Sequence, residues 1–154
     1  MENLELKFMQ EALKEARKAF KEGEVPVGCV IVQNNVIVAR AHNKCEKLGD
    51  PTAHAELLAI KKLCKSPLFL KNKHTKMYVT LEPCMMCVGA ILHANINEVI
   101  FAVENSQNGY LYTHSSDMLI NGSNKERNFT SRTGYLKNEC KELLDSFFIN
   151  IRKE

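Results

Sequence analysis

Residues 77–103 read MYVTLEPCMMCVGAILHANINEVIFAV, and this stretch decides the fold. Met77 to Leu81 is a short run of strand-forming residues and reads as a buried strand. Pro83 then opens a helix that runs to about His93, in keeping with proline's place in a first helical turn. Glu98 to Val103 forms another strand. Strand, helix and strand in one short span are the mark of a layered α/β chain.

The pattern extends in both directions. Upstream, Val27 to Val32 and Val36 to Ala41 are two β-rich runs around Asn34-Asn35, a hairpin signal. Before them Leu4, Phe8, Ala12, Ala16 and Ala19 recur at helical spacing, in a helix that ends near Gly23. Asp50-Pro51-Thr52 is a helix-start cluster; Thr52 is the expected N-cap of a second helix over Ala53 to Cys64. Downstream, Asn105 to Thr133 is polar and rich in Ser and Asn, with a short helix predicted at Ser116 to Ile120. Cys140, Leu143, Leu144, Phe147, Phe148 and Ile151 define an amphipathic helix near the C-terminus. The resulting ββαβαβ core with flanking helices predicts a three-layer α/β/α sandwich, and 154 residues fit one domain spanning 1–154.

Composition removes several classes. Hydrophobic residues at 45% and charged residues at 25% are ordinary globular values, which excludes wholesale disorder. A net charge of +3 permits a nucleic-acid partner without demanding one. The sequence holds no long apolar run and Met1 to Lys21 is charged throughout, so neither membrane span nor leader is expected, and the cytoplasm is the expected compartment. Six cysteines do not make a disulfide framework in a chain of this size. Cys29 reads as a buried small hydrophobe within an apolar run, Cys64 and Cys140 as the same within helices, and Cys45 as a free thiol in a polar connection.

Only Cys84 and Cys87 have ligand spacing. Three residues apart in a first helical turn, both sulfurs can reach one metal ion, and the helix N-terminus favours their thiolate forms. His54 supplies a third donor from another helix start. A structural zinc site closes with four Cys or His ligands, whereas a catalytic one leaves a position for water. Here the count stops at three, with Glu56 two residues beyond the histidine and offset to the side of the metal. Two thiolates and a neutral imidazole leave Zn²⁺ with a first-shell charge near zero, a weak activator of water. A carboxylate that takes the proton and returns it to a leaving group compensates. Alone, Cys-x-x-Cys is as often a redox pair or half of a structural site. A fourth ligand would have to come from His42, His74, His93 or His114, none of which has motif-like spacing.

These residues resemble a known family. His54-Ala55-Glu56 with Pro83-Cys84-Met85-Met86-Cys87 is the pattern of the cytidine and purine deaminases. Val25-Pro26-Val27-Gly28, Asn43, Asp50 to Glu56, Tyr78 to Cys84, Cys87 to Ala90 and the ending from Glu139-Cys140 to Phe147-Phe148 are similar to the bacterial tRNA adenosine deaminases. The resemblance implies a cytidine-deaminase-like fold with a central mixed five-stranded sheet. It implies hydrolytic deamination of adenosine to inosine at wobble position 34 of a tRNA anticodon stem-loop, by a homodimer with one Zn²⁺ per subunit. Carried over residue by residue, His54, Cys84 and Cys87 hold zinc and Glu56 shuttles protons for a zinc-activated water. Asn43 would hydrogen-bond the purine, Val27 would wall the pocket, and the Ala55 backbone would meet the base edge. Phe147, Phe148, Arg152 and Lys153 on the last helix, with Lys44, Lys71, Lys73 and Lys76 in loops, suit RNA; of the two phenylalanines at least one is expected in the core.

The chain also departs from the family. After the fourth strand the relatives carry an Arg-Asp pair followed shortly by Lys, where this chain has Glu104-Asn105 and Gln107. Asn105 is expected beside the sugar of the target nucleotide, less demanding of a 2′-OH than Asp. Tyr110 to Ser116 departs as well. Two other readings stand beside a tRNA deaminase: a deaminase of free guanine, cytosine or a nucleoside, and a non-catalytic zinc-stabilised RNA-binding subunit. Intact Glu56 argues against the last, and similarity along the whole chain against the first.

Overall fold

Asn34 and Asn35 both adopt left-handed backbone, with φ of 51° and 59°. Two successive positive φ values are what a two-residue type I′ hairpin needs. They join β1 (Gly28–Gln33) to β2 (Val36–His42) as an antiparallel pair, where the sequence places a hairpin. In the computed structural model, which describes residues 3–109 and 129–152, β1 also pairs antiparallel with β3 (Thr75–Leu81). The crossover helix α4 (Met85–His93) then returns the chain to β4 (Glu98–Val103), parallel to β3. A last strand, β5 (Thr130–Thr133), lies parallel to β4. The sheet order is β2-β1-β3-β4-β5, a mixed five-stranded sheet.

Strand parity sets the layers. A Cβ on Gly28 would fall 2.0 Å from the carbonyl oxygen of Ala12 and 2.4 Å from the amide nitrogen of Ala16, both in α1 (Leu4–Lys21). Only glycine lets this helix approach so closely. Val30 and its partner Tyr78 share that face, where the Tyr78 ring meets Phe8 of α1 at 5.4 Å. Cys29, Ile31, Met77 and Val79 therefore point to the other face, against α3 (Ala55–Lys65), with α4 beside it. The C-terminal helix α5 (Lys137–Arg152) packs with α1, through Phe20 and Phe147 at 6.3 Å. Met9, Ile31, Met77, Ile91, Ile100 and Phe101 are fully buried between the layers, each side chain worth roughly 1.5–3 kcal/mol of transfer free energy. The outcome is the α/β/α sandwich expected from the pattern.

Several expectations are corrected. Thr52 does not cap the second helix: its N–H and hydroxyl both bond the Asp50 carboxylate, at 2.8 and 2.7 Å, in a turn that precedes the helix. The helix starts at Ala55, with His54 in the N-cap position. Cys64 is exposed, whereas Cys29 and Cys140 are buried as expected. Leu4 and Ile151 are exposed and contribute little to the core. Lys76 belongs to β3 and not to a loop. Cys45 opens a four-residue helix, α2 (Cys45–Leu48), that the polar sequence hides. Strand β5 supplies the fifth strand that the resemblance implies, but its place is not readable from the residue pattern, since all four of its residues are exposed and carry no alternation. Tyr110 to Ser116, His114, the helix expected at Ser116 to Ile120, and Lys153 lie outside the described residues. Among the described residues no helix is long and apolar enough to cross a membrane.

Candidate active site

The C-terminal ends of parallel β3 and β4, the start of β1 and the end of β2 meet at one edge of the sheet. The starts of α3 and α4 meet there too. This edge, beyond the strand carboxyl ends, is where open α/β sheets bind ligands.

His54 and Cys84 occupy the N-cap positions of α3 and α4, and neither side chain caps its own helix. Both are thereby free to turn toward a common point. Nδ1 of His54 lies 3.7 Å from the Cys84 sulfur and 3.6 Å from the Cys87 sulfur. All three donor atoms fall within 4.8 Å of one another, a grouping found nowhere else among the described residues. Zinc bonded to sulfur at about 2.3 Å and to nitrogen at about 2.0 Å, with tetrahedral angles, separates the two donors by about 3.5 Å. The donor set therefore fits that ion, and its soft thiolates fit zinc better than a hard cation.

Charge at the cluster follows from its geometry. The hydrogen bond offered by Cys87, helped by His54, draws the Cys84 thiol down to about 4 against the opposing effect of burial. As the donor in that bond, buried near Glu56, Cys87 is pushed far above the usual thiol range. The two sulfurs cannot both ionise without a cation between them; a divalent ion inverts this. His54 is raised by its hydrogen bond with Cys84, burial opposing. Glu56 is 4% exposed, and burial lifts its carboxyl above the ordinary range. A carboxyl raised in this way holds a proton more readily than an ordinary one, which suits a group that must accept a proton and return it.

Around the cluster lies a cleft of about 1140 Å³. Val27, Asn43, His54, Glu56, Cys84 and Asn105 line it, six of the eight site residues expected from the sequence. Cys87 and Ala55 are fully buried and do not line it. The N–H of Ala55 is donated to the side-chain oxygen of Asn43 at 2.7 Å. Asn43 thus caps α3 from outside the helix, and its amide NH₂ remains as a donor. Asn105 turns its oxygen back into its own loop, accepting from the N–H groups of Gln107 at 3.3 Å and Asn108 at 3.1 Å. Phe147 is in the core as expected for one ring of the pair; Phe148 stands edge-on to it at 5.4 Å, 44% exposed, and lines the cleft with Lys141 and Arg152.

None of the three other described histidines adds a fourth donor. His42 is held between Glu15 and Glu22 at 3.2 and 3.0 Å, His74 bonds Glu98 at 2.6 Å, and His93 is exposed at the end of α4. Sequence reasoning overlooked three supports of the site. Glu24, 1% exposed, accepts from the N–H groups of Glu46 and Lys47 and caps α2 beside the cleft. Glu15 anchors His42, next to Asn43, and Glu82 accepts from the N–H of Asn105 at 3.0 Å. A carboxylate placed between an apolar strand and Pro83 was the one signal that could have disclosed Glu82.

The comparisons with known proteins agree with this geometry. The family model described as the cytidine and deoxycytidylate deaminase zinc-binding region matches residues 2–103. The tRNA-specific adenosine deaminase of Bacillus subtilis is 40% identical over 150 residues, 96% of this chain and 90% of that protein. The tRNA-specific adenosine deaminase of Aquifex aeolicus is 47% identical over 66% of this chain and 68% of its own length. A solved structure from studies of A-to-I editing by tRNA:A34 deaminases superposes with a TM-score of 0.70 at 33% identity. It covers 83% of this chain and 97% of its own. With the His54, Cys84 and Cys87 cluster and the α/β/α frame in place, the chain belongs to the tRNA-specific adenosine deaminases of the cytidine and deoxycytidylate deaminase family.

Proposed function

We propose that this protein hydrolyses adenosine to inosine at wobble position 34 of a tRNA anticodon stem-loop. The observation that carries the substrate class is the size of the cleft. At about 1140 Å³ it exceeds the roughly 300–1,000 Å³ usual for small-molecule sites, and it runs from the cluster to Phe148 and Arg152 on α5. A free base would leave most of it empty, whereas an unstacked nucleotide with its neighbours would fill it. Phe148 offers a ring for base stacking, and Lys141 and Arg152 offer charge to the backbone. A loop nucleotide is cheaper to unstack than one in a duplex.

His54, Cys84 and Cys87 would hold one Zn²⁺ per subunit, which supplies Lewis-acid activation of the water that displaces the amino group. Glu56 accepts a proton from that water and passes it to the purine ring; it then takes the remaining proton of the added hydroxyl and delivers it to the amino group, which leaves as ammonia. Its burial excludes bulk solvent from this relay. The NH₂ of Asn43 hydrogen-bonds the purine while its oxygen holds the start of α3, so one side chain ties base position to the His54 turn. Val27 walls the pocket. Ala55 acts through its bond to Asn43.

A homodimer is supported by the apolar strip on α4. Met85 and Met86 are 43% and 36% exposed, and nothing lies within 4 Å of a Cβ placed on Gly89 one turn on. Six free cysteines, two of them needed as ligands, suit the reducing cytoplasm. The decisive experiment offers the protein an anticodon stem-loop with adenosine at position 34 and, separately, free adenosine, guanine and cytosine. Inosine formed only in the stem-loop is the expected result; turnover of a free base alone would replace this reading.

A further inference from the structure

The loop after β4 is fastened to the turn that carries Cys84, and the fastening is Glu82. This carboxylate is 2% exposed and accepts the N–H of Asn105 at 3.0 Å, while its own N–H donates to Val103 at 2.8 Å. Asn105 in turn accepts the N–H of Gly109 through its carbonyl at 2.9 Å, and Gly109 forms a β-bridge with Cys84. No side chain fits at Gly109, where a Cβ would lie 2.5 Å from both the Asn105 carbonyl oxygen and the Glu82 carboxyl carbon. Residues 104–108 therefore form a closed turn whose two ends are pinned, one on Glu82 and one on Cys84. All five line the cleft, and their exposed groups are amides and a hydroxyl apart from Glu104.

We infer that Glu82 is a positioning residue: it sets the substrate-facing loop 104–108 at a fixed height above the Cys84 turn, so that the loop's amide and hydroxyl groups meet the sugar-phosphate of nucleotides flanking the target base. Glu82 touches no reacting atom in this account. Its effect is on binding of the polynucleotide, through the backbone of Asn105. That much rests on the stem-loop being the substrate; the latch itself does not.

Two measurements separate the parts. In Glu82→Ala the amides of Asn105 and Gly109 should exchange with deuterium at least tenfold faster, with the three-ligand cluster still binding zinc stoichiometrically. Unchanged exchange overturns the latch whatever the substrate is. With the stem-loop, KM should rise about tenfold or more while kcat at saturation stays within threefold, since a hydrogen bond to a buried charge is lost. Glu82→Gln keeps an acceptor for Asn105 and should recover most of that KM; a Gln variant no better than Ala overturns the account. Should Glu82→Ala fail to fold, Gly109→Ala keeps the carboxylate but drives a methyl group against it and the Asn105 carbonyl, displacing the same loop, and must raise KM with kcat preserved. A normal KM there sinks the proposal. Faster exchange with no wild-type turnover of the stem-loop would leave the latch standing and dismiss the substrate.

Discussion

Asn43 does two things that one substitution removes together and another separates. Its oxygen, on a residue 7% exposed, accepts the N–H of Ala55 at 2.7 Å at the start of α3. Its NH₂ is the group proposed to meet the purine. Truncation in Asn43→Ala deletes both. Loss of an N-terminal cap is worth about 1 kcal/mol, range 0.5–2. In a chain of this size each kcal/mol lowers Tm by roughly 2–4 °C, so a fall of about 1–8 °C is expected. Asn43→Asp restores the acceptor, and a negative charge at a helix start adds about 0.3–1 kcal/mol in its favour, offset here by burial. Its Tm should lie closer to the wild type than to the alanine variant. The same change removes the NH₂ donor and sets a like charge near the substrate backbone. Deamination should fall at least tenfold in kcat/KM, the factor that about 1.4 kcal/mol represents. Thermal melts and kinetics on a wobble-adenosine stem-loop read the two effects independently. An Asp variant as unstable as Ala would show that the cap does not hold α3. An Asp variant with wild-type kcat/KM would show that the amide donor does not contact the base.

Glu56→Gln should retain zinc, measured by metal analysis, and lose at least about 100-fold in kcat, the lower end for a general acid–base group; full activity would end the proton-relay role. Glu15 gives an acid-stability signature. Burial works to raise its carboxyl, but hydrogen bonds from Lys18, His42 and Arg40 outweigh it and bring it from an ordinary 4.5 to about 2. Because the folded value is the lower one, the stabilisation, about 3 kcal/mol at most, is complete above roughly pH 5 and disappears as pH falls through 2. Glu15→Gln should therefore melt well below the wild type at pH 7, with the gap closing toward pH 2; a gap independent of pH would refute the ion-network account. Asn105→Asp leaves the loop intact, since either side chain can accept from Gln107 and Asn108. It should raise the preference for an RNA hairpin over its DNA counterpart, and equal preference before and after would discard Asn105 as a sugar contact.

The metal cluster was legible in the sequence because its residues obey local rules. Cys84 and Cys87 must share a helical face, Pro83 must precede them, and Glu56 must lie two residues beyond His54. The hairpin was legible for the same reason, since Asn34-Asn35 supply the two left-handed residues it needs. What stayed hidden lacked any periodicity. Strand β5 is exposed along its whole length, so no alternation betrays it. The short helix at Cys45 is capped by Glu24, twenty-two residues upstream of Glu46, with nothing in either local sequence to connect them. Thr52 looked like a cap because its chemistry is right, but Asp50 occupies its hydroxyl, and the helix takes its cap from Asn43 in another segment.

These hidden contacts share one form: a buried polar side chain on one segment accepts a backbone N–H from another. Asn43 holds Ala55, Glu24 holds Glu46 and Lys47, Glu82 holds Asn105, and the Thr80 hydroxyl holds Gly28 at 3.1 Å. Burying a carboxylate is unfavourable unless it is hydrogen-bonded, so the backbone N–H groups that Glu24 and Glu82 accept offset part of the cost of their burial. The segments so fastened are the ones that sheet and helix ladders cannot reach, namely the turns and helix starts around the cleft. Their backbone N–H groups would otherwise face a dry interior unpaired. The carboxylates therefore divide by task at a single edge of the sheet. Glu24 and Glu82 are consumed in holding backbone, whereas Glu56 is the carboxylate proposed to handle protons. Substitutions in the holding acids should thus move stability and substrate binding, whereas substitution of Glu56 should act on turnover.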